Sequence, residues 1–168
     1  MWIDERPLNH TLPRSARGYT MVELVVVLVL VGILAAMAVP KFNAALSARD
    51  EGWRDALVSG LRYAQKSAVS HRRLVCMDLG ASTITLNIAS ANPATSCNTA
   101  LQGPENSTNV FATASTSPGT AVSPAGTLYF QPDGRVTSDG AGNTAANRTI
   151  TANGIASISI VGETGHVE

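Results

Sequence analysis

Residues 17–40 read RGYTMVELVVVLVLVGILAAMAVP, an apolar run that follows a basic residue and a glycine. A helix needs about 20 apolar residues to cross the hydrocarbon core of a bilayer, and Tyr19 to Val39 supplies that length. Glu23 is the only charged residue from Val22 to Val39. A charge inside such a span costs roughly 2.5–3.5 kcal/mol on insertion scales, so this carboxylate calls for a partner. A cut between Gly18 and Tyr19 would create an α-amine one helical turn from Glu23, and that amine is a candidate partner.

The order of glycine, aromatic residue, Thr-Met-Val-Glu and long apolar helix resembles the class III signal of type IV pilins and type II secretion pseudopilins. In that family a membrane enzyme, the prepilin peptidase, cuts after the glycine and methylates the new amine. The resemblance implies that residues 1–18 are a prepilin leader, that the cut follows Gly18 and that methylated Tyr19 begins the mature chain. Glu23 would be the glutamate that accepts the amine during assembly, and Pro40 would kink the helix. Tyr19 departs from the more usual phenylalanine.

The residues before the apolar run indicate how the chain is oriented. Residues 1–18 lack the apolar core of a Sec-type signal peptide, because the apolar run follows the expected cut and stays in the protein. The positive-inside rule places Arg14 and Arg17 in the cytoplasm, so the C-terminal part is expected to be exported. The alternative is an ordinary uncut anchor with a single span. Glu23 argues against it, since a passive anchor gains nothing from a carboxylate in its first turns.

Composition narrows the function classes further. The chain has 168 residues, which suffices for one modest domain plus an anchor, and its formal net charge is zero. A near-neutral chain does not suggest an electrostatic nucleic-acid binder. Its two cysteines, Cys76 and Cys97, lie in the exported part, where a pair most often forms a disulfide. The alternatives are a metal pair or free thiols, but no metal-ligand spacing accompanies the pair.

The helix is expected to continue beyond the membrane. Residues 19–40 would form a transmembrane helix that becomes a filament-core helix after assembly, and residues 41–72 would form the amphipathic helix of the head. The apolar stripe of that second half recurs at steps of three, four or seven and consists of Phe42, Leu46, Trp53, Leu57, Leu61, Ala64 and Ala68. This pattern predicts one long helix over about 20–71, with a bend near Pro40.

From Arg73 the periodicity changes from helix to strand. Short strands are predicted at 74–79, 82–89, 127–131, 149–152 and 156–161, with a fragment around 110–113. Pro132-Asp133-Gly134 is a turn signal, after which Val136–Thr137 would return antiparallel. Segments 92–125 and 138–147 are predicted to be largely loops. The fold class is therefore α+β: a long N-terminal helix packed on a small antiparallel, sandwich-like β head spanning residues 73–168.

The head carries a second resemblance. The segments LYFQPDGRVTSDG, RTIT and ISIVGETGHV are similar to the C-terminal half of the GspH/FimT group of pseudopilins and minor pilins. The segment LRYAQKSAVSHRRLVC, the cysteine pair and the terminal ETGHV are especially similar to minor pilins of mannose-sensitive haemagglutinin (MSHA) pili. Residues 92–125 match no pattern that we can place.

These observations predict a minor pilin or pseudopilin that is not an enzyme and has no catalytic, metal or cofactor site. Its expected partners are the prepilin peptidase, other pilins contacted through the N-terminal helix, the bacterial inner membrane and an assembly platform, with the head in the periplasm or on an extracellular filament. Three alternatives remain: a type II secretion pseudopilin, an adhesin, and a FimT-like DNA-uptake receptor. Nucleic acid is the weaker partner, because only Arg135 and Arg148 are basic after Arg73.

Overall fold

The computed structural model describes residues 18–103 and 109–168, without the side chains of residues 39, 40 and 42–47. The chain divides into two compact units, Met1–Phe42 and Asn43–Glu168, and helix α1 (Met21–His71) contributes to both. This helix confirms the prediction of one helix over about 20–71. Residues 1–17 of the predicted leader lie outside the described residues. The Pro40 kink and the first two positions of the apolar stripe, Phe42 and Leu46, involve side chains that are likewise not described.

In the second unit, α1 buries one stripe and exposes the opposite one. The buried side chains are Trp53, Leu57, Leu61, Ala64 and Ala68, which recur at steps of three or four as the sequence predicts. Gly60 is also buried in this stretch, although glycine lowers helix propensity. A Cβ at Gly60 would press against Phe111 and Met77, so the missing side chain lets these two residues pack directly on the helix backbone.

Ten short strands follow the helix and form two antiparallel sheets. The strands are β1 (Val75–Leu79), β2 (Thr83–Ile88), β3 (Thr99–Ala100), β4 (Val110–Thr113), β5 (Ala121–Ser123), β6 (Leu128–Phe130), β7 (Val136–Thr137), β8 (Arg148–Thr151), β9 (Ile158–Val161) and β10 (His166–Val167). The larger sheet has the order β3-β2-β1-β6-β7, and β4 also pairs with β2. The smaller sheet has the order β10-β9-β8-β5. The expected α+β class is confirmed.

The two sheets and the helix share one core. Its buried members include Met77 and Leu86 from the larger sheet, Ile150 and Ile160 from the smaller sheet, and Leu61 from α1. The sheets are also joined through the backbone, because the Val136 N–H donates to the Gly162 carbonyl at 2.7 Å and the Ala146 N–H donates to the Val136 carbonyl at 2.9 Å. The edge of β7 is therefore covered rather than open to another strand.

The predicted strands and turn are confirmed, with three additions. The β6–β7 hairpin turns at Gly134, whose φ of 92° lies in the region that favours glycine. Strands β3, β5 and β10 were not predicted, and β3 and β5 lie in the segment expected to be mostly loop. Each is only two or three residues long, so none carries a readable alternation; each exists because a neighbouring strand pairs with it.

Candidate functional site

The described chain starts with three exposed residues outside the helix, Gly18, Tyr19 and Thr20. Tyr19 exposes 82% of its surface. A Cβ added to Gly18 would meet no described atom within 4 Å. The fold of the described residues therefore gives no reason for a glycine at position 18.

Thr20 caps the first turn of α1. The Glu23 backbone N–H donates to the Thr20 hydroxyl oxygen at 3.2 Å, and the Leu24 N–H donates to the Thr20 carbonyl at 3.1 Å. Thr20 and Glu23 have the spacing of a capping box, a motif that is readable in the sequence and that the prediction above overlooked. Only half of the box is formed, because the Glu23 carboxylate does not accept a return bond from Thr20. A cut after Gly18 would leave this cap intact.

The Glu23 carboxylate has no hydrogen bond or ion pair with any other residue of the described ranges 18–103 and 109–168. It lies in the first turn of α1, where the positive end of the helix dipole favours an anion by about 0.3–1 kcal/mol. That contribution is smaller than the roughly 2.5–3.5 kcal/mol cost of a charge in a membrane span. A membrane environment therefore still requires a cation for Glu23 from outside the described contacts.

No described part of the chain buries the apolar surface of Met21–Ala38. None of these 18 residues is buried, and the segment is long and apolar enough to cross a membrane. Its large side chains expose from 50% of their surface at Val26 to 87% at Met21. Unless lipid or other helices cover it, this surface stays in contact with water, at a cost of roughly 25 cal/mol for each Å² of apolar area.

In the head, the expected disulfide between Cys76 and Cys97 is present, with the two Cα atoms 5.9 Å apart. It joins the buried strand β1 to the loop between β2 and β3. Leu74, Cys76 and Ala89 form a second small cluster at this point, against which Ala94 and Tyr129 pack. The bridge therefore holds a loop that has few apolar side chains of its own against the sheet.

The two basic residues after Arg73 are both used within the fold. The Arg135 Nε lies 2.7 Å from the Asp133 Oδ2. Partial burial raises the pKa of Asp133, but the hydrogen bonds and charge of Arg135 outweigh this effect and lower the pKa overall. Arg148 is only 5% exposed, and its Nη1 donates to the Pro124 carbonyl at 2.6 Å. Arg148 is therefore withdrawn from the surface, whereas Arg135 stays at the surface with its Nε bonded to Asp133.

Three helix side chains, of which the sequence analysis named only Trp53 and only as an apolar residue, bond to the loops of the head. Gln65 Nε2 donates to the carbonyls of Gly134 at 3.1 Å and Thr164 at 2.9 Å, which belong to the turns after β6 and β9. The indole Nε1 of Trp53 donates to the Thr120 hydroxyl at 2.9 Å. The Tyr63 hydroxyl likewise donates to the backbone of the loop after β3. The sequence does contain one signal for these bonds, because each of the three side chains carries a polar atom in or beside an otherwise apolar stripe.

Among the described residues, no group of three or more His, Cys, Asp and Glu could hold a metal ion. Asp139 caps a turn, since its Oδ1 accepts the Gly142 N–H at 3.0 Å. His71, Arg72 and Arg73 are exposed at the end of α1, and His166 lies 3.7 Å from Glu168.

Comparison with known proteins gives one match. Residues 13–39 match the family model described as the prokaryotic N-terminal methylation motif. No curated protein and no solved structure matches the chain. The matched segment contains Gly18, Tyr19, Glu23 and the uncovered apolar helix surface, and it supports a type IV pilin-like protein.

Proposed function

We propose that this chain is a subunit of a type IV pilus-like filament, made as a precursor that a prepilin peptidase cuts after Gly18 and methylates at Tyr19. One observation carries the proposal: a single methylation-motif match spans an accessible Gly18–Tyr19 segment, a carboxylate without a described partner and an apolar helix that the described residues leave uncovered. Before assembly, lipid of the inner membrane covers this helix. After assembly, the helices of neighbouring pilins cover it.

In this proposal, Glu23 sets the register of assembly. The amine released at Tyr19 is cationic at neutral pH. Glu23 accepts this amine, or the corresponding amine of the subunit docked before it. An ion pair in an apolar medium adds little net stability, because both charges leave water. A subunit out of step would bury an unpaired carboxylate, however, and this penalty selects one axial offset.

Cleavage is tested by mass spectrometry of the chain purified from membranes of a cell that contains a prepilin peptidase. We expect the wild type to begin at a methylated Tyr19, and Gly18→Leu to keep its leader. Gly32→Leu is the matched control, because a Cβ at Gly32 also meets no described atom within 4 Å, and it should be cut normally. A wild-type chain that still begins at Met1 would refute the proposed processing.

Assembly is tested with Glu23→Val, which keeps the helix apolar and removes the carboxylate. We expect this variant to enter the membrane and to be found in sheared filaments at no more than about a tenth of the wild-type amount, since a loss of 1.4 kcal/mol is already tenfold. Leu28→Val is the control and should assemble normally. Wild-type incorporation of Glu23→Val would remove the register argument.

Within this class we favour a minor pilin of an MSHA-like pilus, which primes the filament or joins it, with the assembly platform as a further partner. Support comes from the resemblance of segment 61–76, the cysteine pair and residues 163–167 to such proteins. The alternatives are a type II secretion pseudopilin of the GspH kind and a FimT-like DNA-uptake pilin. Immunogold labelling of sheared pili distinguishes a minor pilin, which should be labelled on the filament, from a secretion pseudopilin. A gel shift at low salt tests the DNA alternative, which the engagement of Arg135 and Arg148 disfavours.

A further inference from the structure

The exposed face of α1 in the head carries a pattern of charge that the fold does not use. Glu51 and Asp55 lie toward one end of this face, and Arg62 and Lys66 lie toward the other; we call these four residues the charged stripe. At 3.6 residues per turn they fall within about 60° of one another, opposite the buried stripe. None of the four side chains has a hydrogen bond or an ion pair within ranges 18–103 and 109–168.

Within a single chain this arrangement is unfavourable. Glu51 and Asp55 are like charges four residues apart, and so are Arg62 and Lys66. Like charges at this spacing destabilise a helix by about 0.2–0.5 kcal/mol per pair. Within the charged stripe, even the nearest opposite charges, Asp55 and Arg62, are seven residues apart, or about 10 Å along the axis, beyond the spacing of three or four residues at which helix side chains pair. A second surface with the same two charge groups would compensate both.

The middle of the charged stripe is concave. A groove of about 400 Å³ is lined by Asp55, Val58, Ser59, Arg62, Tyr63 and Lys66. Val58 is half-buried and Ser59 is exposed, so the floor between the two charge groups is small and partly apolar. A second helix can therefore approach here without a bulky side chain in the way.

We propose that the charged stripe binds the charged stripe of a second copy of this chain, in parallel and displaced by eleven residues. Eleven residues rotate about the helix axis by three full turns plus about 20°. A displacement of eleven residues therefore keeps the two stripes face to face. It pairs Glu51 with Arg62 and Asp55 with Lys66 of the next copy. This proposal rests on the proposed function for its direction, because all subunits of one filament enter from one membrane with the same orientation.

The same charges would also fit an antiparallel pair of helices. The two arrangements can be distinguished because they bring different residues together. About a two-fold axis between Val58 and Ser59, Glu51 would pair with Lys66 and Asp55 with Arg62. A parallel contact is heterologous and can repeat along a filament, whereas the antiparallel contact closes after two copies. Exposed ion pairs contribute little affinity individually, so the stripe would set the register of heads whose N-terminal helices provide most of the contact.

The test uses zero-length carbodiimide cross-linking of the full chain in membranes, followed by mass spectrometry of the linked peptides. The chain has only two lysines, Lys41 and Lys66, so few products are possible. We expect Asp55 linked to Lys66 of another copy. A Glu51–Lys66 link would instead indicate the antiparallel pair and overturn the proposal. Linkage of Lys66 to a different protein, or no link between copies, would overturn it as well.

Complementation shows that the link joins two copies. A chain with Glu51→Gln and Asp55→Asn lacks the carboxylates, and a chain with Lys66→Arg lacks the amine. Each alone should lose the product at least tenfold, and co-expression should restore it. Glu163→Lys changes an exposed charge away from the stripe and should leave the product unchanged. A chain with all four charges reversed (Glu51→Lys, Asp55→Lys, Arg62→Glu, Lys66→Glu) should again give a product between copies. In that product the amine comes from position 51 or 55 and the carboxylate from position 62 or 66.

The outcome is separable from that of the proposed function, because the N-terminus of each cross-linked chain is read in the same experiment. A chain that retains its leader contradicts the proposed processing, whatever its cross-links. A chain that begins at Tyr19 but shows no Asp55–Lys66 product contradicts the charged-stripe contact alone. Formation of Cys76–Cys97 in every variant is checked in parallel, so that loss of the product is not mistaken for loss of the fold.

Discussion

The two parts of α1 meet the same physical requirement in opposite ways. Residues 21–38 are apolar on every side, and none of them is buried. In residues 53–68 the apolar side chains form one stripe, and the head covers it completely at Leu57, Leu61, Ala64 and Ala68. An apolar surface must leave water in both cases. The second part achieves this within the chain, whereas the first needs lipid or other helices, which leaves it available for the assembly proposed above.

The largest expected effect on stability directly tests the difference between the two parts of α1. Leu61→Ala removes a fully buried side chain and should destabilise the head by about 2–5 kcal/mol, because the transfer and cavity costs add. Leu28→Ala removes the same atoms from the uncovered part and should leave the unfolding transition of the head unchanged. Thermal unfolding of both variants in detergent, followed by near-ultraviolet circular dichroism, measures this. Equal effects would mean that residues 21–38 also stabilise the head.

The second expected effect is the contribution of the disulfide to the stability of the head, the part of the chain that buries its apolar surface by itself. Replacing both Cys76 and Cys97 with serine should cost about 3 kcal/mol, the chain-entropy value for a loop closed by residues 21 apart. Denaturant unfolding of the full chain with and without reductant checks this expectation. The reduced wild type should match the double variant. A stability unaffected by reduction would show that the small cluster around Leu74 holds the loop alone.

A smaller effect is expected where α1 ends. The Arg72 N–H bonds to the Val69 carbonyl and the Arg73 N–H to the Ala68 carbonyl, which is the Schellman pattern. Arg72 has a φ of 52°, a conformation that glycine adopts without strain. Arg72→Gly should therefore stabilise the head by about 0.5–1 kcal/mol, net of the greater freedom of glycine in the unfolded chain. Arg73→Gly is the matched control and should not stabilise it; equal gains would point to charge instead of backbone strain.

The smallest effect concerns acid. The pKa of Asp133 is lowered from its ordinary value of 3.8, so its ion pair with Arg135 contributes stability above that value and loses it as pH falls through the lowered pKa. Because the Asp133 side chain is 52% exposed, the contribution is about a few tenths of a kcal/mol. The stability difference between wild type and Asp133→Asn should be constant near neutral pH, begin to fall near the ordinary pKa and vanish below the lowered pKa. A difference that persists in strong acid would contradict this assignment.

Much of the fold was predictable because local pattern and tertiary contact agree. The stripe from Trp53 to Ala68 and the alternation of Ile84, Leu86 and Ile88 each point to one buried face, and the structure buries those faces. Strand β3 at Thr99–Ala100 had no such signal. It pairs with the end of β2, in the stretch that follows the disulfide-linked Cys97. The contact between Gln65 and the turn after β9 could not be predicted either. Its acceptor is a backbone carbonyl, which every residue has, so it leaves no pattern in the sequence.

The sequence by itself determined the long helix, the one carboxylate near its start, the cysteine pair and the location of the methylation motif, because each depends on residue type and spacing along the chain. Only the tertiary structure decided that Arg135 and Arg148 are engaged internally and that four charges on α1 have no partner among the described residues. Whether a charge is satisfied depends on which distant segments come to lie beside it, and spacing along the chain does not contain that information.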